Sequence, residues 1–462
     1  MKALWLWWNK EALRIELKQL IEEGRDISAV REEFDRLLAD ETKEGTAEFQ
    51  KTANILMDKG QKLPMRSDYA YVEPSDLKGI QKERQKKSRK VRIPRSKEKL
   101  QNLIYGAWLG RCAGCLHGQP LEGTLRTRLV KFLNEFELTE LTEYVHLLPG
   151  LTEENCKNFN RWHGASPLYR QRTGIDKFPG DDDTNYTVLN MKLVKDRGIH
   201  FTPVNVADFW LSHLPLYLTC TAERVAYRNF ANSIEPPKSA SVRNPYREYI
   251  GAQIRADFFG YVALGNPRLA AELAWRDAST SHVKNGIYGE MWVAAMIATA
   301  AGIKDTRKLI DIGLGEVPQR SRFFEGITEI VKRYDAGATY FEMLEYVHSI
   351  WNENLSYDWT HTIANAQIVA IGLLYGEGDY EKAMTRAVQI CLDTDCNGAT
   401  VGSIMGMILG AKALPKKWTS IMNDTIHTGV VGYDVVKISD LAKEMFEIYQ
   451  KSRQELKRKA KK

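Results

Sequence analysis

A chain of 462 residues that is 44% hydrophobic and 27% charged has the balance of an ordinary globular protein, long enough for one large domain with an appendage or for two domains. The formal net charge of +6 is uneven: residues 82–99 carry ten Lys/Arg against two Glu and residues 451–462 carry seven against one, which leaves the remainder slightly acidic. This excludes wholesale disorder, and no apolar run is long enough to span a membrane.

In chain order, the opening MKALWLWWNKEALRIELKQL has too short an apolar run for a signal peptide and passes at once into amphipathic charge. Leu13, Leu17, Leu20 and Ile21, then Val30, Phe34, Leu37 and Leu38, recur at helical spacing within residues 10–60. Pro64, Pro74 and the basic stretch to Pro94 read as an extended, solvated linker rather than a nucleic-acid contact. Residues 1–95 are therefore expected to form an N-terminal helical extension and linker, 96–450 the main domain, and 451–462 a basic tail. From residue 98 onward, apolar runs with helical spacing recur at 266–278, 286–301, 323–334, 339–353, 362–374 and 380–391. The expectation is an all-α, compact multi-helix bundle.

Two segments share an uncommon pattern. Glycines at 106, 110, 114 and 118 recur every four residues, as do those at 398, 402, 406 and 410. Each glycine costs a helix about 1 kcal/mol relative to alanine, so a face of them makes sense where another helix approaches closely. If these two helices pack on each other, Glu122, just past the first, comes near the acids at the start of the second. The six cysteines, at 112, 115, 156, 220, 391 and 396, form neither a zinc set nor a disulfide framework. They read as reduced thiols in a cytoplasmic protein.

The chemistry concentrates in two acidic turns. In FPGDDDTNYTVLN, Asp181, Asp182 and Asp183 open a helix. Helix capping explains one or two of these carboxylates, and a hard cation would turn the repulsion among all three into binding. In ICLDTDCNGATVG, Asp393 and Asp395 lie between apolar segments, where buried carboxylates need a cation or several donors. A capping turn before the glycine helix is the plainer alternative.

Taken together, GCLHGQPLE (114–122), DDDT (181–184) and DTDCN (393–397) resemble the GDxxGxxxE, TDDT and DTDTN motifs of the ADP-ribosylglycohydrolase family, in the same order. The resemblance implies an all-α hydrolase that cleaves an N- or O-glycosidic bond of ADP-ribose or a related ribosyl compound and uses two Mg²⁺ or Mn²⁺ ions. The alternative is a non-catalytic relative that binds ADP-ribose or serves structurally. On the hydrolase reading Asp182, Asp183 and Asp395 hold one ion, and Asp393 and Asp395 the other. Glu122, with Asp182 and Asp393, supplies the catalytic set. The stretch REYIGAQIRADFFGYVALGNPRLAAELAWRDASTSH resembles the family's substrate loop, which makes Gly251, Gln253, Arg255 and His282 substrate-binding candidates. The chain departs from the pattern at three positions: Asp181 replaces a threonine, Cys396 replaces a threonine, and Cys115 replaces an aspartate. Asp181 and Cys396 thereby join the candidate metal ligands, although a thiol suits a hard ion less well than a hydroxyl.

Overall fold

The computed structural model describes residues 3–40, 44–86, 90–152 and 175–459. Cys156, residues 87–89 inside the first basic run and residues 460–462 at the end of the second lie outside the described residues. The described residues form 21 α-helices and one two-stranded sheet, in which Thr425–His427 pairs antiparallel with Val435–Lys437. The architecture is the expected all-α one. Five of the six apolar runs become the helices Pro267–Ala278, Lys284–Ala300, Arg322–Asp335, Thr362–Tyr375 and Tyr380–Val388, and the sixth becomes Tyr340–Ile350.

The two glycine-faced helices, Lys97–Gly118 and Thr394–Leu409, form the axis of the molecule. They run antiparallel with backbones in contact. A Cβ added at Gly110 would stand 2.1 Å from the Gly402 carbonyl oxygen, and one at Gly114 2.0 Å from that of Gly398. Gly106 meets Gly406 in the same way, and Gly118 meets Thr394, whose hydroxyl donates to the Gly118 carbonyl at 2.7 Å. The glycine periodicity thus fixes both the closeness and the register of the pair. Tyr380 reaches into the crossing and donates to the Gly110 carbonyl at 3.0 Å.

The N-terminal segment contributes the helices Lys10–Glu22, Arg31–Ala39 and Ala47–Gly60. Asn9 caps the first and Thr46 the third through their side-chain oxygens, satisfying backbone donors that would otherwise be unpaired. Leu13, Leu20, Phe34 and Phe49 are buried in a hydrophobic cluster that also contains Val225, Tyr246, Tyr249 and Tyr357. The extension therefore shares a core with later parts of the chain. A buried brace reinforces it, since Arg247 pairs with Glu16 at 2.6 Å and with Glu23 at 3.0 Å. The basic connector is pinned as well, in contrast to the solvated linker expected of it. Arg84 pairs with Glu316 at 3.0 Å in a buried setting, and Val91 donates to the Gly265 carbonyl at 2.9 Å. Part of its charge is neutralised locally, and its backbone lies where a Cβ on Gly302 would meet the Arg92 carbonyl at 2.2 Å.

Candidate metal centre and its cavity

Three chain segments meet at one end of the glycine-helix pair. The first turn follows Phe178, which is tied to the small sheet: its N–H donates to Thr425 at 2.8 Å and its carbonyl accepts from His427 at 2.9 Å. Gly180 then adopts a φ of +91°, which favours glycine, and Asp181 caps the helix Asp182–Arg197 by accepting from the Asp183 N–H at 3.0 Å. The second turn reaches Asp393 through Cys391 and Leu392, with φ of +70° and +64°. Two adjacent non-glycine residues in the left-handed region represent stored strain of the kind that clusters at functional sites. The Leu392 carbonyl accepts from Gly123 at 3.0 Å, and this bond joins the Asp393 turn to the loop carrying Glu122. Asn365 braces the same turn, accepting from the Asp393 N–H at 3.3 Å and from the Asn397 side chain at 2.8 Å.

The acids do converge. Ligand atoms lie within 4.8 Å of one another in three groups: Glu122 with Asp393 and Asp395, Asp183 with Asp395 and Cys396, and Cys115 with Asp181 and Asp183. Asp395 belongs to two of the groups and sits between the two turns. Asp182 belongs to none of them, although it lines the adjoining cavity. Asp183 is fully buried and pairs with Arg111 at 3.1 Å, while Arg111 also donates to the Asp183 carbonyl at 2.7 Å and to Asp257 at 2.7 Å. Sequence reading passed over Arg111, although a charged residue in the glycine-faced stretch GAWLGRCAGCLHG was the available signal.

Burial and mutual repulsion dominate the electrostatics. Desolvation, then the charge of Glu122, pushes the Asp393 carboxyl up to about 7. Burial, reinforced by Glu122 and Asp393, raises Asp395 well above the usual carboxylate range. Asp182 is raised by burial and by Asp181 and Asp183 beside it; Asp183 is raised by burial despite Arg111. Carboxylates held this way favour either protons or a cation. Asp183 Oδ2, Asp393 Oδ1 and Asp395 Oδ1 are buried without a hydrogen-bond partner among the described residues. Buried polar atoms are nearly always satisfied, so the donor set fits a hard divalent cation. Cys115 and Cys396 are raised well above the usual thiol range by burial and then by neighbouring carboxylates, so both remain thiols.

A cavity of about 610 Å³ opens over the cluster, and Glu122, Asp181, Asp182, Asp393, Asp395 and Cys396 all line it. Of the four substrate-binding candidates, the structure brings only Gly251 to its wall. Gln253 and His282 are fully buried. Arg255 is fully buried too, and its guanidinium is occupied by Glu223 at 2.8 Å, Asp277 at 2.5 Å and Glu290 at 3.7 Å. Glu223 lines the cavity, and sequence reading did not single it out. One of its oxygens accepts from Arg255, while Oε2 has no hydrogen-bond partner among the described residues. A Cβ on Gly251 would stand 2.0 Å from Glu223 Oε1, so the glycine makes room for this carboxylate.

Residues 96–455 match the family described as ADP-ribosylglycohydrolase. Among solved structures, one described as an ADP-ribosylglycohydrolase-related protein complex aligns over 77% of this chain and 99% of its own, at 18% identity and a TM-score of 0.48. No curated protein matches the chain in sequence.

Proposed function

The chain belongs to the ADP-ribosylglycohydrolase family, and from that premise we propose that it is a metal-dependent hydrolase of the N- or O-glycosidic bond of ADP-ribose or a related ribosyl compound. The observation that supports this most is the meeting of Asp181–Asp183 with Asp393 and Asp395, more than two hundred residues away, around unpartnered buried oxygens beneath an open cavity.

In this reading Asp183 and Asp395, with Asp181 or Asp182, hold one Mg²⁺ or Mn²⁺, and Asp393 and Asp395 hold a second. Such ions, when bound, supply the charge that orients ribose hydroxyls and acidifies a water. Glu122 accepts the proton of the attacking water, being the carboxylate that stands with Asp393 and Asp395 at the cavity wall. Glu223 accepts a ribose hydroxyl through Oε2, and Arg255 holds it in place from the protein side. Asp277 and Glu290 orient Arg255 in turn, which gives that arginine a positioning role behind the wall.

The test is release of free ADP-ribose from a panel of N- and O-linked ADP-ribosyl substrates, with Mg²⁺ and with EDTA. We expect release only with the metal, and a loss of roughly 100-fold or more in Glu122→Gln. Protein that takes up Mg²⁺ yet releases nothing from any substrate would refute the activity.

A further inference from the structure

The family match begins at residue 96, yet the cavity over the acidic cluster is also lined by Leu4, Trp5, Trp7, Asn9, Ala12 and Ile15. This wall is held from two sides. The Trp5 ring lies 4.6 Å from the Arg224 guanidinium, which is itself fixed by hydrogen bonds to the carbonyls of Tyr217 and Thr219. Three residues on, Trp8 donates its N–H to Gln50 at 2.9 Å, accepts from the same side chain at 2.7 Å, and donates its indole N–H to Asn54 at 2.9 Å. Trp7 lies in the chain between these two anchors and lines the cavity.

The cavity is therefore two-sided. Carboxylates line one part, and Trp5, Trp7, Tyr217, Tyr246, Tyr249 and Trp359 contribute aromatic surface to the rest. A volume of about 610 Å³ lies in the range that takes an entire drug-sized ligand, more than a single sugar. We propose that residues 4–15 form an aromatic subsite that holds a planar ring of the ligand, a nucleobase, while its ribosyl end lies at the acidic cluster. The ribosyl end rests on the hydrolase reading above; the aromatic wall stands on the placement of the N-terminal segment. Aromatic side chains suit this task because every nucleobase has a face on which to stack.

The experiment is calorimetric titration of the full chain with ADP-ribose and with AMP, both in Mg²⁺, alongside titration with Mg²⁺ alone. Trp5→Ala and Trp7→Ala should each weaken both nucleotides by about 10-fold or more, leave Mg²⁺ affinity unchanged, and recover when Phe replaces Ala. Unchanged nucleotide affinity in the alanine variants overturns the subsite. So does a parallel fall in Mg²⁺ affinity, or a failure of Phe to restore binding, because the segment then only props the fold. Wild-type protein that binds neither nucleotide overturns both the subsite and the hydrolase reading. Binding that depends on Trp5, in protein that cleaves no ADP-ribosyl substrate, supports the subsite and removes the hydrolase reading alone.

Discussion

Asp395 stands where the two acidic turns meet, within ligand distance of Glu122 and Asp393 on one side and of Asp183 on the other. Without a cation its charge is opposed by burial and by both neighbours. Two opposite effects should follow from Asp395→Asn. Removing a buried like charge should raise the melting temperature of EDTA-treated protein. On the proposed metal-dependent reading Mg²⁺ raises the melting temperature of wild-type protein, and the variant should lose that rise, since a ligand that binds only the folded state stabilises it in proportion to its affinity. Replacing partners of metal ligands typically costs about 10–100-fold in affinity or activity, so losing a ligand itself, the role proposed for Asp395, should exceed that. Thermal melts with and without Mg²⁺ check both effects; a variant that keeps the full Mg²⁺ shift would show that Asp395 holds no ion. At this scale the sequence identified most of the carboxylates, because adjacent acids inside apolar sequence are conspicuous. It missed Glu223, whose neighbours in TAERVAYRNF make it look like an ordinary helix-surface acid. Only the approach of Arg255 from a separate segment turns that side chain inward.

The glycine helices carry the site at the level of elements. Gly110 and Gly402 face each other with no space for a methyl group, and the obstructing atoms are backbone carbonyls that cannot rotate aside. Gly110→Ala should therefore cost about 3 kcal/mol or more, at or above the top of the usual range for overpacking, despite alanine's better helix propensity. Urea unfolding would measure it, and a stability gain would mean that the helices can separate at little cost. Any protein that remains folded should also lose activity, because spreading the pair moves Glu122, beyond one helix, away from Asp395 on the other. The pairing was anticipated from the four-residue repeats, since two glycine faces in one chain have few other uses. Bringing Glu122 to the acids that open the second helix also implied an antiparallel pair, but the register, Gly106 with Gly406 through Gly118 with Thr394, was not legible, because a slide of four residues satisfies the same periodicity.

For the molecule as a whole, the docking of the N-terminal helices has its own pH signature. Burial pushes the Glu16 carboxyl up to about 7 even though Arg247 stands beside it. Against the same cost of burial, Arg247 and Lys284 hold Glu23 down to about 2. One guanidinium thus serves two buried carboxylates, and Glu16 is the one left nearer the neutral form. Because its folded value lies above its unfolded one, its contribution is full below about 4.5 and is lost as pH rises through about 7. Stability should fall by on the order of 1–3 kcal/mol between pH 5 and 8.5. Glu16→Gln, which keeps an acceptor for Arg247, should flatten that slope. Denaturant midpoints at the two pH values decide it, and an unchanged slope in the variant would assign the effect elsewhere.

What the sequence determined alone was periodic or local: the helical class, the glycine faces, and the acidic turns with their family motifs. Helix spacing, backbone crowding and like-charge repulsion are legible over a few residues. What only the tertiary structure decided was which distant side chains share space. Gln253, Arg255 and His282 sit in a motif yet are packed behind the wall. Arg111 is drawn between Asp183 and Asp257, and Trp5 and Trp7 reach a cavity whose acids lie far along the chain. Each of those placements depends on contacts that close only when separate helices pack, and no local pattern encodes them.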